Sequence, residues 1–380
     1  MRRVIILQPA VPSYRLEFFE SLIQHGLESD IRYEILSPTK YDVTKKNAQT
    51  RFMEHFLNAN RIEINFKSRS LFVHLPSRSF AKADLIIAEF AIHNLITFWW
   101  AFLAKHRKIA LWGHGKTYTK KNTPLEEWLK GRLAKQCDWF FSYTKGGVDA
   151  LASFGYPISQ ITTVQNSTDT YNLVNIIETI TDSDIESFKE RYLIQTENLA
   201  IFIGSLESSK RLEFLIDSAK LIYETIPDFK VLIFGTGPEK AKIEARCNEE
   251  PFLHFCGVAN VKDKAIASQV CKFIMMPGRV GLIAVDSFAM GLPIITTNWK
   301  WHAPEFEYLV HNSNALIADD NLSSYVLCIK KYLSDARLRD RIAVRAKSDL
   351  KEFGINRMAD NFHMGVLSFF SYAKKNGDSN

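Results

Sequence analysis

Residues 276–297 (MPGRVGLIAVDSFAMGLPIITT) constrain the fold more than any other stretch of the sequence. A Pro-Gly turn and a short loop lead into apolar residues at helical spacing, and Gly291 stands where a helix would end. The apolar, β-branched run 292–297 predicts a buried strand. Loop, helix, turn and strand make half of an α/β unit. Amide groups and the helix dipole at such a helix start favour an anion, and a phosphate is the obvious candidate.

Short apolar runs alternate with helical patterns along both halves of the chain. In the first half, a helix is predicted at 13–24 and strands at 4–7, 31–36, 62–66, 85–88, 109–112, 139–142 and 161–164. In the second half, helices are predicted at 212–224 and 239–248 and strands at 200–204, 230–235, 254–256, 273–276 and 293–297. This alternation predicts mostly parallel sheets covered on both faces.

A length of 380 residues suits two domains rather than one. We predict an α/β fold of two Rossmann-like, doubly wound domains that face a central cleft. The first domain covers 1–170, and a polar linker followed by a helix covers 171–196. The second domain covers 197–355, and a C-terminal helix covers 356–373.

Composition is typical of a soluble globular protein, with 46% hydrophobic and 24% charged residues. Five scattered cysteines without a CxxC pair indicate neither a disulfide framework nor a zinc site, and they favour a reducing, cytoplasmic setting. The apolar run near the N-terminus is too short for a signal peptide and favours a strand. The apolar run 85–104 is interrupted by Glu89, His93 and Asn94, which favours a strand and a buried helix over a membrane span.

Positive charge is concentrated in the first half of the chain. Residues 1–175 hold 23 Lys and Arg against 15 Asp and Glu, a net charge of +8. This excess predicts an anionic membrane surface or another acidic partner, and an aromatic and basic cluster supports peripheral association with the inner face of the cytoplasmic membrane. The cluster comprises Trp99, Trp100, Lys105, Arg107 and Lys108. An ordinary solvated basic face explains the charge equally well. Nucleic acid is disfavoured, because no binding motif accompanies the dispersed basic residues.

Four loops that follow predicted strands of the second half contain glycine or isolated polar residues, and ligands of open α/β sheets bind in such loops. They are 204–210 (GSLESSK), 235–239 (GTGPE), 256–260 (CGVAN) and 277–281 (PGRVG). One glycine-rich turn is common in α/β proteins, but four in this order are more specific. They resemble the C-terminal domain of the retaining glycosyltransferases of the GT-B fold, family 4, over most of 160–320 and weakly over the whole chain. The resemblance implies a nucleoside diphosphate sugar as co-substrate, with no other cofactor and no metal.

The resemblance places the donor on all four loops. In the family an Arg and a Lys after the first strand bind the diphosphate; here Ser205 stands at the Arg position and Lys210 at the Lys position. A lysine there would stabilise the leaving group, although a solvated lysine at a helix start is the alternative. The implied donor-binding residues are Gly204, Ser205, Lys210, Gly235, Gly237, Gly257, Val258, Gly278, Arg279, Val280, Gly281, Leu282 and Asp286.

The family signature of two acidic residues separated by seven others is only half present. Asp286 corresponds to the second acid, which the resemblance places at the ribose hydroxyls, although it could instead balance the helix dipole. The first acid, which contacts the donor sugar, corresponds to Gly278. Arg279 and the amides of residues 280–282 remain to hold phosphate. Glu305 matches a family Glu that orders the sugar pocket, and an exposed Glu at a helix start is the alternative.

Candidate residues of the first half also follow predicted strands. His114 in WGHGK corresponds to a family His close to the transferred sugar, although a lone His is more often structural. Tyr14 and Arg15 lie in the loop that corresponds to the acceptor side, where a Pro-shaped turn is the alternative. Tyr143 and Lys145 open a further helix and are predicted to bind the acceptor.

The resemblance implies a retaining, metal-independent glycosyltransferase with catalytic residues His114, Lys210 and Arg279. It would move a sugar from a nucleoside diphosphate sugar to a glycan or lipid-linked acceptor, in cell-surface polysaccharide or lipopolysaccharide biosynthesis. The final helix would return to the first domain, and Asn166 would act as a hinge. Gly278 and Ser205 leave two alternatives open: an inactive nucleotide-binding partner subunit, or a sugar-nucleotide epimerase.

Overall fold

The computed structural model describes residues 1–37, 52–58, 61–66, 69–74, 82–90, 108–118, 121 and 123–377. The chain divides into two compact units, the first formed by Met1–Asn166 with Ile355–Asn380 and the second by Ser167–Gly354. The helix predicted after residue 88 and all of the aromatic and basic cluster except Lys108 lie outside the described residues.

A parallel sheet forms the centre of the first unit, and its described part has seven strands in the order β3-β2-β1-β6-β7-β8-β9. The strands are β1 (Arg2–Leu7), β2 (Ile31–Ser37), β3 (Phe56–Asn58), β6 (Leu85–Glu89), β7 (Ile109–Gly113), β8 (Trp139–Ser142) and β9 (Ile161–Thr163). The predicted strands are confirmed except for one placement. The strand predicted at 62–66 is β4 (Arg61–Phe66), and it pairs antiparallel with β5 (Arg69–His74) in a separate sheet. Parallel strands need a crossover of a dozen or more residues, and these two are almost contiguous.

The described helices of the first unit are α1 (Leu16–Glu28), α2 (Pro124–Ala134), α3 (Lys145–Ser153) and α12 (Ile355–Gly377). Helix α1 directs Phe18, Phe19, Leu22 and Ile23 into the core. Helix α12 packs against α1 and the sheet, where the Phe362 ring stacks on a core phenylalanine of β8 at 4.3 Å. The last helix of the chain therefore belongs to the first unit.

A second parallel sheet forms the core of Ser167–Gly354, and the strand order in its described residues is β12-β11-β10-β13-β14-β15. The strands are β10 (Leu199–Ile203), β11 (Lys230–Phe234), β12 (Leu253–Gly257), β13 (Phe273–Met275), β14 (Ile294–Thr297) and β15 (Ala315–Ala318). The helices that follow them are α6 (Leu212–Tyr223), α7 (Lys240–Glu249), α8 (Val261–Val270), α9 (Ile283–Met290), α10 (Leu322–Ser334) and α11 (Ala336–Phe353). The predicted strands and helices are confirmed here, while β15 and the helices α8, α10 and α11 were not predicted.

The segment predicted as a linker with one helix contains two helices, α4 (Tyr171–Thr179) and α5 (Asp182–Arg191). Thr181 caps α5 through a reciprocal pair of hydrogen bonds with Asp184. Helix α4 packs against α8 and buries Leu173 in the core. The segment is polar because most of its surface faces solvent, so its composition is that of a linker although it is folded.

Strand order determines where a ligand can bind in each unit. In the second sheet β10 lies between β11 and β13, so the connections run in opposite directions from this point. In the first sheet β1 occupies the same place, between β2 and β6. Ligands of open α/β sheets bind beyond the carboxyl ends of the strands at such a switch point. The predicted α/β class with two Rossmann-like units is therefore confirmed.

Candidate functional site

The two loops at the switch point of the second unit are joined to each other by hydrogen bonds. The Lys210 ammonium donates to the carbonyl oxygen of Arg279 at 2.6 Å. The Arg279 amide donates in turn to the carbonyl oxygen of Ser209 at 2.9 Å. The loops that follow β10 and β13 therefore form one structure, as expected for neighbouring strands.

Gly278 lies where these loops approach most closely. A Cβ atom at this position would stand 2.5 Å from the Lys210 carbonyl oxygen and 2.6 Å from that of Ser209. Both neighbours are main-chain atoms, so no side chain fits without moving a loop. An acidic side chain at this position would therefore collide with the backbone of residues 209–210.

Lys210 is a buried cation, with only 9% of its surface exposed. Burial lowers its pKa to about 8, and the charge of Arg279 acts in the same direction, while Glu207 and Glu305 oppose the shift. The ammonium is therefore still protonated at neutral pH. A cation that has already lost its hydration and lies at a switch point is suited to an anionic ligand.

His302, which the sequence pattern did not single out, holds the loop after β13 in place. Its Nδ1 accepts from the Val280 amide at 3.0 Å, and its Nε2 lies 2.9 Å from the Thr297 carbonyl oxygen, to which it must donate. The ring stacks on Phe306 at 4.0 Å, and burial lowers its pKa to about 4, so the imidazole is neutral. The only signal in the sequence is a histidine shortly after the strand that follows the signature helix.

This histidine corrects one expectation for phosphate binding. The Val280 amide is occupied by His302 and is not available to a phosphate. The amides of Gly281 and Leu282 have no hydrogen-bond partner within the described part of the chain, and they directly precede α9. Two of the three predicted amides therefore remain available to an anion at the positive end of a helix.

Two arginines support the same loop. Arg279 is half-buried, and its Nε donates to the Trp301 carbonyl oxygen at 3.2 Å. Arg211, which was not predicted, donates to Asp320 and lies 3.4 Å from the Pro277 carbonyl oxygen. Arg211 adopts a left-handed backbone conformation with φ of 55°, which is uncommon for a residue other than glycine. Its side chain connects the loop after β13 to the segment that follows β15.

The glycines of the loop after β11 allow it to pack on the loop after β10. A Cβ atom at Gly235 would overlap the Gly204 carbonyl oxygen, and one at Gly237 would stand 2.5 Å from the Leu206 carbonyl oxygen. Ser205 is exposed beside this contact. Gly257, the last residue of β12, adopts a left-handed conformation with open space around it, and Val258 after it is 67% exposed. The loop after β12 therefore leaves an apolar side chain accessible at the ligand edge of the sheet.

Asp286, the predicted ribose ligand, forms an ion pair. Its Oδ2 atom accepts from the Lys264 ammonium of α8 at 2.7 Å. Asp286 is buried, and Lys264 is more accessible. The predicted ribose ligand is thus one half of an ion pair between the first turns of α8 and α9.

Glu305 is buried, with 3% of its surface exposed, in the turn Pro304–Tyr308. The alternative of an exposed glutamate at a helix start is therefore wrong. One of its carboxylate oxygens lies 3.9 Å from the position that a Cβ atom of Gly281 would occupy. A buried carboxylate thus lies beside Gly281 of this loop.

In the first unit, Arg15 is buried, and its guanidinium contacts three other side chains. Its guanidinium donates to Asn166 and to the Met358 sulfur, and it lies 3.5 Å from the Tyr143 hydroxyl. It also faces the Trp112 ring at 5.3 Å. Arg15 is therefore poorly placed for the predicted direct contact with an acceptor, and it instead fixes Tyr143 and Asn166.

The other candidates of the first unit lie at the carboxyl ends of β7 and β8 or in the loop after β1. The rings of His114 and Tyr143 are 4.6 Å apart. His114 has solvent access on one side, yet the protein atoms around the ring and the charges of Arg15 and Lys130 lower its pKa to about 4. Tyr14 is 41% exposed, and Lys145 is exposed at the first position of α3. The structure thus brings His114, Tyr143 and Arg15 together and leaves Tyr14 and Lys145 accessible.

Within the described residues, no group of three or more His, Cys, Asp or Glu side chains is arranged to hold a metal ion. The described helices include none with both the length and the apolar character of a membrane span.

These features define the class as a two-domain, Rossmann-like α/β protein with a basic loop at one switch point. Residues 184–349 match the family model described as glycosyl transferases group 1. The match covers most of the second unit, and no curated protein sequence matches the chain significantly.

Solved structures with the same fold align over nearly the whole chain. HepE from Anabaena, solved in complex with UDP, has 14% identity and a TM-score of 0.69, with 97% of this chain and 100% of HepE covered. A glycosyltransferase from Rickettsia africae has 14% identity and a TM-score of 0.71, with coverage of 97% and 98%. Sucrose-phosphate synthase from Thermosynechococcus elongatus has 12% identity and a TM-score of 0.69, with coverage of 98% and 100%. The family match and the shared fold together support a glycosyltransferase of the GT-B fold.

Proposed function

We propose that this chain is a family 4, retaining, metal-independent glycosyltransferase that uses a nucleoside diphosphate sugar. The observation that carries the proposal is the switch point of the second unit. There a buried lysine and two amides that have no partner among the described residues lie at the start of α9, within the region that matches the glycosyltransferase model. HepE, a structural neighbour of this chain, was solved with UDP, which supports a nucleotide sugar as the donor.

In this proposal the diphosphate contacts Lys210 and the amides of Gly281 and Leu282. The charges of Lys210 and Arg279 offset the negative charge that develops on the leaving diphosphate as the glycosidic bond breaks. The nucleoside extends toward Asp286 and the accessible Val258. Gly278 offers no carboxylate to act as a nucleophile, which favours attack by the acceptor itself on the face from which the diphosphate leaves.

The acceptor is a glycan or a lipid-linked glycan of cell-surface polysaccharide or lipopolysaccharide biosynthesis. Its candidate contacts are Tyr14, Tyr143 and Lys145, with Arg15 holding Tyr143 in position. His114 is neutral at physiological pH, because its pKa is about 4. It therefore acts as a hydrogen-bonding group toward the sugar or phosphate rather than as a cation.

The decisive experiment measures binding first and transfer second. Calorimetry with UDP, GDP, ADP, CDP and dTDP tests for a nucleotide site. Nucleotide sugars of the base that binds are then incubated with lipid-linked acceptors, and NMR of the product reports whether the anomeric configuration is retained. Failure to bind any nucleoside diphosphate would refute the proposal, and activity that requires added divalent metal after EDTA treatment would refute its metal independence.

A catalytically inactive partner subunit is the second candidate, and Gly278 with Ser205 favours it. Donor binding without turnover on any acceptor would support this alternative. A third candidate, a sugar-nucleotide epimerase, would convert the donor in the absence of an acceptor, and the same NMR measurement detects that product.

Cytoplasmic location with peripheral membrane association is a separate proposal that rests on the net charge of +8 in residues 1–175. The attraction is electrostatic, so it should weaken as salt is added. Sedimentation with vesicles that contain phosphatidylglycerol, compared with neutral phosphatidylcholine vesicles at low and high salt, tests it. Equal sedimentation with both vesicle types would exclude an anionic surface as the partner.

A further inference from the structure

Lys264 contacts Asp286, the predicted ribose ligand, but has no role in the donor site as proposed so far. It is the fourth residue of α8, and its ammonium donates to Asp286, the fourth residue of α9. The positive end of a helix dipole disfavours a lysine in the first turn, so this position needs a compensating partner. Asp286 supplies it, since an acid is favoured in the first turn of its own helix.

The pair leaves hydrogen-bonding capacity on both sides. An ammonium has three donors, and one of them is used by the Asp286 Oδ2 atom. The second carboxylate oxygen of Asp286 has no partner among the described residues. About a quarter of the Lys264 side chain is exposed, against 11% for Asp286, so the pair opens to solvent on the lysine side. It can thus both donate to and accept from a neighbouring diol.

We propose that Lys264 is a specificity-determining residue of the nucleotide site, which with Asp286 recognises the vicinal hydroxyls of the ribose. Asp286 accepts from one hydroxyl, and the Lys264 ammonium donates to a hydroxyl oxygen. The inference rests on the proposed function, because it assigns a role within the same donor site. It predicts a protein that distinguishes ribonucleotides from deoxyribonucleotides through this ion pair.

The neighbouring Lys262 provides a matched control. It lies two residues earlier in α8 and forms its own ion pair with Asp184 of α5 at 2.6 Å. Lys262→Met therefore removes the same charge from the same helical turn, but not from the pair with Asp286. Lys264→Met and Lys264→Arg complete the set, and thermal unfolding with circular dichroism verifies that each variant is folded.

The experiment measures, by calorimetry, the affinity for the ribonucleoside diphosphate that binds most tightly and for its 2′-deoxy and 3′-deoxy analogues. The wild type should prefer the ribonucleotide over at least one analogue by about 10-fold or more, as expected for a hydrogen bond to a charged group. Lys264→Met should lose most of this preference, Lys264→Arg should keep part of it, and Lys262→Met should keep all of it. A merely structural ion pair would lower the affinity for all ligands equally and leave their ratio unchanged.

The possible failures are distinguishable. If Lys264→Met retains the full preference, or if the wild type binds all the analogues equally, the inference on Lys264 is overturned while nucleotide binding stands. If the wild type binds no nucleoside diphosphate, the proposed function itself has failed, and the role of Lys264 fails with it.

Discussion

Replacing Gly278 with alanine tests whether main-chain atoms fill the space beside the loop after β13. The added methyl group would lie 2.5 Å from the Lys210 carbonyl oxygen and 2.6 Å from the Ser209 carbonyl oxygen. Neither neighbour is a flexible side chain, so the loops after β10 and β13 must separate. Gly278 is not among the residues with positive φ, so the expected cost is steric and owes nothing to backbone conformation.

The magnitude follows from overpacking. Inserting a methyl group into a tightly packed site costs about 1–3 kcal/mol. The separation also strains the hydrogen bond of 2.9 Å between the Arg279 amide and Ser209. For a unit of this size, each kcal/mol lowers the unfolding temperature by about 2–4 °C, so a decrease of about 2–12 °C is expected. Differential scanning calorimetry measures it, and calorimetric titration with a nucleoside diphosphate reports the effect on the loop.

Gly281→Ala in the same loop is the control. Its methyl group would meet the Ala303 side chain at 3.7 Å, an ordinary contact, so the free energy of unfolding should change by less than about 0.5 kcal/mol. If Gly278→Ala and Gly281→Ala both unfold at the wild-type temperature, the approach at Gly278 is not tight. The inference that the backbone of residues 209–210 leaves no space for a side chain at Gly278 would then be refuted.

Three further predictions concern titration and buried charge. Lys210 has a pKa of about 8, so nucleotide affinity should fall between pH 7 and 9 in calorimetric titrations, and Lys210→Arg should remove this dependence because arginine stays charged. The pKa of His302 is lowered from 6.5 to about 4, so its contribution to stability is complete above pH 6.5. This contribution, about 3 kcal/mol, is lost as the pH falls toward 4. An NMR titration of the imidazole with a midpoint near 6.5 would contradict this. Arg15→Lys should destabilise the first unit by about 1–3 kcal/mol in thermal unfolding and leave nucleotide affinity unchanged, whereas unaltered stability with weaker acceptor binding would favour direct contact.

Most of the fold could be predicted from the sequence, because short apolar runs typical of strands alternate with apolar residues at helical spacing. Most strands of the second sheet are short apolar runs with a glycine close to one end, and helices alternate with them along the chain. The hairpin β4–β5 was misplaced because a short apolar run does not reveal whether its partner is parallel. Helices α4 and α5 were partly missed because tertiary packing, and not composition, orders them.

The candidate site could be predicted only where function depends on residues close in sequence. Lys210 and the loop before α9 follow strand ends, which a periodic pattern reveals. His302 and Arg211 act on that loop from elsewhere, through hydrogen bonds to the Val280 amide and the Pro277 carbonyl oxygen. Every residue type has a main-chain amide and carbonyl group, so these contacts do not require a particular residue at the partner position. A single sequence therefore contains no pattern that predicts them.

Contacts with main-chain atoms also change how Gly278 is interpreted with respect to activity. From the sequence, a glycine in place of an acid suggests a site that has lost part of its chemistry. In the structure, the space beside it belongs to the backbone of residues 209–210, and Lys210 donates across this contact to Arg279. The glycine therefore allows the close packing of the two loops that positions Lys210, the candidate diphosphate cation. If the protein proves inactive, the packing at Gly278 would not indicate a collapse of the candidate diphosphate end.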